Sequence, residues 1–363
     1  MIRFLIALLA LLFLPSALCA FQNYDIDDGL SQSVVFDIVQ DQQGFIWIST
    51  QAGLNRFDGN EFTVFTASDE TNSLANNYIY PLAIDNESTL FIGTRNSGVN
   101  QLALHNYQFS EPLLKERRIT SLLVAQQQVY IGTYDGSLFR YDKRAEQLET
   151  LITGLKKPIY ALSKIADTLW IGTHGAGLLH YDLINNQQIN SVFSGFAEPV
   201  DIHASIFAIK QSADGSIWLA SQGGGLYRIA LSTQTITQWL TSNDDNSGLS
   251  SNEIRDIEFD SQGRVWLATR GGGINVYDPI DASFTVLAHD PFDKYSLAHD
   301  RVYSIYRDSS DIMWFGTAHG ISKLDPASLQ FSKLKKPTPL SSNDAWALFE
   351  DSKQRIWYGS WGG

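Results

Sequence analysis

The sequence predicts an all-β fold, a seven-bladed β-propeller of four-stranded antiparallel blades, from three observations. The first is a recurrent aromatic, followed three residues on by Thr or Ser and then by glycine. It occurs at Trp47, Phe91, Tyr130, Trp170, Trp218, Trp266, Trp314 and Trp357, at intervals of 39 to 48 residues. The second is a fixed register inside the copies: Leu30, Leu74, Leu249, Leu297 and Leu340 each lie 11 residues before an acid, Asp41, Asp85, Asp260, Asp308 and Asp351, and 17 before the aromatic. The third is that the segments between these marks are strand-length runs bounded by Gly and Asp turns. One such unit cannot bury both of its faces alone, so the copies must pack radially on one another.

Residues 1–20 are of a different material. Arg3 precedes an apolar run over 4–14, and Ala20 closes a Pro-Ser-Ala-Leu-Cys-Ala segment, which reads as a secretory signal peptide cut after Ala20. The expected location is therefore periplasmic. Cys19 is the only cysteine and leaves with that leader, which excludes disulfides, thiolate metal sites and cysteine nucleophiles from the mature chain.

Residues 21–24 have the character of an outer strand without a blade of its own. They are expected to pair with the last blade and close the ring, removing its open edges. The first full copy then reads as a strand over 35–39, a turn with Asp41 first and Gly44 last, and a strand over 45–50. A glycine hairpin at Gly53, a strand over 54–57 and an outer strand over 62–65 complete it. Copies three and four are shorter between their first two strands, at Ala125-Gln126-Gln127-Gln128 and Ala166-Asp167-Thr168. The fifth has Asp201 in place of the leucine and turns at Asp214-Gly215. Seven blades fill residues 21–330. The stretch 331–363 restarts the pattern with Leu340, Asp351 and Trp357 and is expected to be the first strands of a second propeller, with a ring of eight blades as the competing count.

Charge narrows the partners. With 26 Lys and Arg against 39 Asp and Glu, a net −13, the chain lacks the basic clusters that phosphate backbones require, so nucleic acid is excluded. The position just after the Thr or Ser varies while its surroundings repeat: Gln51, Arg95, Tyr134, His174, Gln222, Arg270 and Ala318. Unlike polar groups on a uniform scaffold are what a specific small-molecule site needs, and the first six are the candidate ligand-binding residues. Arg95 and Arg270 suit a carboxylate or sulfate, and Tyr134 and His174 suit a sugar ring; the plainer reading makes each a solvated hairpin residue. Gly223-Gly224-Gly225 and Gly271-Gly272-Gly273 are each followed by a strand and not a helix, which points to turns and away from a phosphate loop. The seven histidines show no metal-ligand spacing, and neither a metal nor a cofactor is expected.

The stretch from Gly29-Leu30-Ser31 through 41–50 to 53–58, and its counterpart over 260–278, resembles the two-component regulator propeller repeat. That resemblance covers residues 21–363. It implies an extracytoplasmic sensor whose full-length form carries paired propellers, a membrane helix and a cytoplasmic histidine kinase or diguanylate cyclase, with a ligand such as an oligosaccharide or small anion. Membrane attachment would then lie in sequence beyond residue 363, and a homodimer is among the expected assemblies. The Asp-x-x-Gly-x-x-Trp stretches also resemble the Asp-box of sialidases, so a glycan lyase or hydrolase, or a protein-interaction scaffold, is the alternative to a sensor without catalysis of its own.

Overall fold

Six of the seven inner strands begin with a fully buried apolar residue, and each ends at a turn that reverses it onto a nearly fully buried partner. A computed structural model describes residues 21–70, 72–189, 202–241, 248–330, 345–350 and 356–360, so the expected leader at 1–20 lies outside the described residues. Blade 1 is the meander Val35–Gln40, Ile46–Thr50, Gly53–Phe57, Phe62–Phe65. Blades 2 to 7 repeat it, with first strands Ile79–Ile84, Ile119–Ala125, Ile159–Ile165, Ser205–Gln211, Ile254–Phe259 and Val302–Arg307. First strands of successive blades touch one another, and that of blade 7 returns to that of blade 1, so they line a central channel.

The seventh sheet holds only three strands of its own. Its fourth is Gln22–Tyr24, antiparallel to Gly320–Leu324 with Gln22 opposite Lys323 and Tyr24 opposite Ile321. The ring thus closes at seven blades through its N-terminal strand, and eight is excluded. Gly320 permits the closure: its φ is 90°, and a Cβ there would sit 2.2 Å from the Tyr24 carbonyl oxygen.

Second strands are buried along their whole length in Ile46–Thr50, Val265–Thr269 and Met313–Thr317, and in all but one end residue in the other four blades. This is why they read as continuous apolar runs and not as alternating ones. Their aromatics lie between blades, as expected. Trp47 packs with Leu74, Ile79 and Leu82 of blade 2, and Trp266 lies 5.8 Å from the Phe315 ring of blade 7.

The recurrent acid does more than start a turn. Asp41 Oδ1 accepts from the amides of Gln43 and Phe45, and its Oδ2 accepts from the Trp47 indole at 2.8 Å. Asp260 with Trp266 and Asp308 with Trp314 repeat the indole bond at 2.8 Å. In blade 2 the aromatic is Phe91, which has no N–H. The buried Asp85 accepts instead from Lys143 Nζ of blade 3 at 2.7 Å. The Thr or Ser three residues after the aromatic is equally structural: in all seven blades its hydroxyl donates to the carbonyl that ends the next hairpin, from Thr50 to Gly53 through Thr317 to Gly320.

The ring's compact unit extends to Pro326, and the remainder forms a second unit. In the second unit Ala345–Glu350 pairs antiparallel with Ile356–Ser360, which is the inner hairpin of one more copy.

Candidate ligand site at the channel mouth

One irregularity recurs in every blade and builds the site. The ladder between first and second strands slips near its start: Val35 faces Thr50 but Asp37 faces Ser49, leaving Phe36 unpaired. The same slip skips Tyr80 with Pro81, Thr120, Tyr160, Phe207, Arg255 and Tyr303. A β-bulge re-aims the side chain of its extra residue. Such bulges occur on all seven inner strands, and ring contacts link two runs of their residues, Tyr80–Phe36–Tyr303 and Tyr160–Phe207–Arg255, while the Thr120 hydroxyl donates to the Ile159 carbonyl between them.

Phe36 stands 4.9 Å from Tyr80 on one side and 5.6 Å from Tyr303 on the other. Arg118 of blade 3 lies over Tyr80 and donates to its hydroxyl at 3.0 Å. Tyr160 and Phe207 stack at 5.0 Å, and the Arg255 guanidinium lies 4.1 Å over Phe207. The circle is completed electrostatically, since the Tyr160 hydroxyl feels both Arg118 and Arg255, and Arg255 feels Tyr303. Burial raises the Tyr160 pKa, and it pushes Tyr78 beside Tyr80 up to about 12. Burial, reinforced by Arg270, works against the charge of Arg255 and lowers its pKa.

Below the bulges lies a charged layer. The Asp37 carboxylate accepts from the Leu82 amide of blade 2 and Asp256 accepts from Ile305 of blade 7, each tying neighbouring inner strands at 2.8 and 2.9 Å. Burial raises Asp37 to about 7, with Asp256 adding to the effect, and raises Asp256 to about 6. Lys210 donates to Glu258; burial opposes its charge, but Glu258, Asp256 and Asp37 together hold its pKa above the ordinary lysine value.

The six sequence-predicted residues lie on the same face as this mouth. The amides of Arg95, Tyr134, His174 and Arg270 bond the carbonyls of Tyr78, Arg118, Pro158 and Glu253, the residues at or just before the inner-strand starts. Gln222 bridges to Glu253, and Gln51 follows Thr50 on the equivalent hairpin of blade 1. Tyr134 and His174 reach the mouth itself: Arg118 lies 4.2 Å over Tyr134, and His174 stands edge-on 5.9 Å from Tyr160. Arg95 covers Tyr78 at 4.8 Å. Arg270 is engaged with Glu253 at 3.4 Å. The variable hairpin ring is thus an outer rim around the bulge ring.

Sequence reasoning missed the bulge ring, although a signal exists. Phe36, Tyr80, Arg255 and Tyr303 each fall six residues after the recurrent leucine, where aromatics or Arg interrupt an apolar strand. Strict alternation assigns these residues no face, because the bulge that exposes them has no residue signature here. A separate cavity of about 450 Å³ opens on the same face between Tyr24 and the loop before blade 7, lined among others by His289, Phe292, Lys294 and His319. The glycine runs are turns: Gly273, at φ 69°, would place a Cβ 2.3 Å from the Leu287 carbonyl oxygen, and no helix follows. Among the described residues, no group of three or more His, Cys, Asp or Glu side chains is set to hold a metal, and no helix is long and apolar enough to cross a membrane.

A seven-bladed ring of repeated hairpins, three of them pinned by an Asp–Trp bond, with an uneven channel mouth defines the class: a repeat propeller presenting one composite face. Residues 29–52, 248–271, 296–319 and 339–362 each match the two component regulator propeller model, so the chain carries four recognised copies of that repeat. A 50-residue stretch, 14% of this chain, is 46% identical to Histidine kinase P4 of Formosa agariphila, of which it covers 4%. Among solved structures, the chain resembles the extracellular domain of a B. thetaiotaomicron protein described as a hybrid two component system, at TM-score 0.75 and 22% identity over 95% of this chain and 47% of that one. It also resembles virginiamycin B lyase from Staphylococcus aureus, at TM-score 0.63 and 13% identity over 84% of this chain and 98% of the lyase. At these identities the two structures show the fold. The chain spans about half the length of the two-component relative.

Proposed function

We propose that this chain is the extracytoplasmic, ligand-sensing propeller of a membrane-bound two-component signalling protein, which binds a small molecule at the channel mouth without transforming it. One observation carries the reading. Positions that build the blades are chemically uniform, whereas the bulge positions on the channel-lining strands carry aromatics in five blades, Thr120 in blade 3 and Arg255 in blade 6. The four matched repeats and the likeness to the extracellular domain of a two-component system support the same placement. The expected ligand is an oligosaccharide or small anion, since aromatic faces and guanidinium groups dominate the mouth.

A thermal-shift screen of the whole chain against sugars and organic anions tests this, run beside the Tyr160→Ala and Phe207→Ala forms. Hits that vanish in both variants, with the ligand recovered intact by mass spectrometry, support the sensor. Ligand turnover would install the lyase alternative, and hits indifferent to both variants would move the site off the mouth.

A further inference from the structure

Arginine pairing in this chain is uneven. Six arginines sit within ion-pair distance of an acid, as the strongly acidic composition favours; Arg228 with Asp214 at 2.7 Å is typical. Arg255, the bulge residue of blade 6, and Arg118, which precedes the inner strand of blade 3 and lies over Tyr80, do not. Among the described residues neither Arg118 nor Arg255 has a carboxylate within ion-pair distance, and the Nε of each is buried with no hydrogen-bond partner. Their neighbour Arg270, which does have an acid, adds to the repulsion at Arg255.

A guanidinium partly withdrawn from water with no carboxylate in contact and a buried Nε without a partner costs stability, which the field of Glu253 only partly offsets at Arg255. Stacking offsets part of that cost, since Arg255 lies over Phe207 and Arg118 over Tyr80 and Tyr134. Stacking uses the faces of these planar groups and leaves N–H donors at their edges, of which Arg118 spends one on the Tyr80 hydroxyl. Those edges match a carboxylate, whose two oxygens accept from parallel N–H groups. Between the two arginines stands Tyr160, stacked on Phe207.

We propose that the mouth takes a ring-bearing carboxylate, its anion held by Arg255 with Arg118 and its ring laid against the Tyr160–Phe207 pair. This rests on the sensor reading above and assigns the ligand its chemistry. Arg270 is excluded as the anion's main partner because Glu253 already occupies it.

The test is calorimetric titration of the whole chain with benzoate and glucuronate, each beside its uncharged counterpart, benzyl alcohol and glucose, and with acetate as the carboxylate without a ring. We expect one of the two ring carboxylates to bind at least about tenfold more tightly than its counterpart and than acetate. Arg255→Met should lose that margin, Arg255→Lys should keep part of it, and Arg228→Met should leave it unchanged. Without any ligand, Arg255→Met should raise the thermal unfolding midpoint, because it removes a desolvated charge; this readout also shows that the variant folds. Equal binding of charged and neutral forms, no binding of either carboxylate, or an Arg255→Met affinity within about twofold of the parent would overturn the proposal. If neutral rings bind and are lost in Tyr160→Ala, the anion assignment fails while the mouth stands as the site. If no mouth variant alters any ligand, both readings fail together.

Discussion

Replacing Asp260 by alanine should be among the most damaging single changes in the ring. Its carboxylate accepts from the amides of Gln262 and Arg264 at 3.0 and 2.9 Å, from Arg264 Nε at 2.6 Å and from the Trp266 indole at 2.8 Å. Water can reach the turn amides when the acid is gone, but it cannot reach the indole, since Trp266 is fully buried. An orphaned buried donor costs about 1–3 kcal/mol. Arg264, whose side chain is only 13% exposed, also loses its sole carboxylate, which brings the expected total to about 3–5 kcal/mol. That corresponds to a drop of roughly 5–8 °C in unfolding midpoint for a domain of this size.

Blade 7 supplies the internal comparison. Asp308 makes the same turn and indole bonds, but Ile312 stands where blade 6 has Arg264. Asp308→Ala should therefore cost about 2–3 kcal/mol, and the difference isolates the arginine. Urea unfolding followed by tryptophan fluorescence and circular dichroism measures both. An Asp260→Ala cost below about 1 kcal/mol would refute the view that this acid anchors the blade interface.

Two further outcomes are expected. The turn position held by Gly44 and Gly263 in left-handed conformation is held in blade 2 by Ser88 at φ 62°, so Ser88→Gly should stabilise by about 0.5–1 kcal/mol, read as a rise in the urea midpoint. His180 is buried edge-on against Trp170 at 4.4 Å, and burial lowers its pKa to about 4. Because the unfolded chain takes up this proton first, the neutral form's contribution is complete above pH 6.5 and is lost as pH falls toward 4, by up to about 3 kcal/mol. Asp37 and Asp256 act in the opposite sense, their contribution fading as pH rises through about 6 to 7. The comparison is therefore between parent and His180→Leu at pH 4.5 and 7.5, and a gap that does not change with pH would contradict it.

Much of the architecture was legible in the chain because each blade repeats the same solutions to the same local problems. The aromatic-Thr-Gly spacing reflects a buried ring, a hydroxyl tied to its hairpin carbonyl and a reversal, all imposed by backbone geometry. The closing strand was legible because residues 21–24 imitate an outer strand and no first blade remains to receive them. The outer rim was legible as variation against a constant background. What escaped was the inner ring. Bulges have no residue signature here, so the side chain that each one re-aims is hidden inside an apparently ordinary apolar strand. The Lys143–Asp85 contact escaped for a related reason: it replaces an indole bond across two blades, and only the missing N–H of Phe91 hints at the need for it.

The bulge also separates two demands that would otherwise conflict. An inner strand must keep one face against its neighbour, as Ile38 and Ile257 do, while the channel asks for groups that interact with solutes. Inserting one residue lets a blade carry Phe36, Thr120 or Arg255 without shifting the register that seats Trp47 or Trp266. Mouth chemistry can therefore change while the Asp–Trp interface stays fixed. The slip between Ala345 and Ala347 shows the same device in the hairpin that follows the ring, so it belongs to the repeat and not to any one blade. In such a scaffold specificity resides where the ladder is broken, and the residues to vary first are those that the pairing skips.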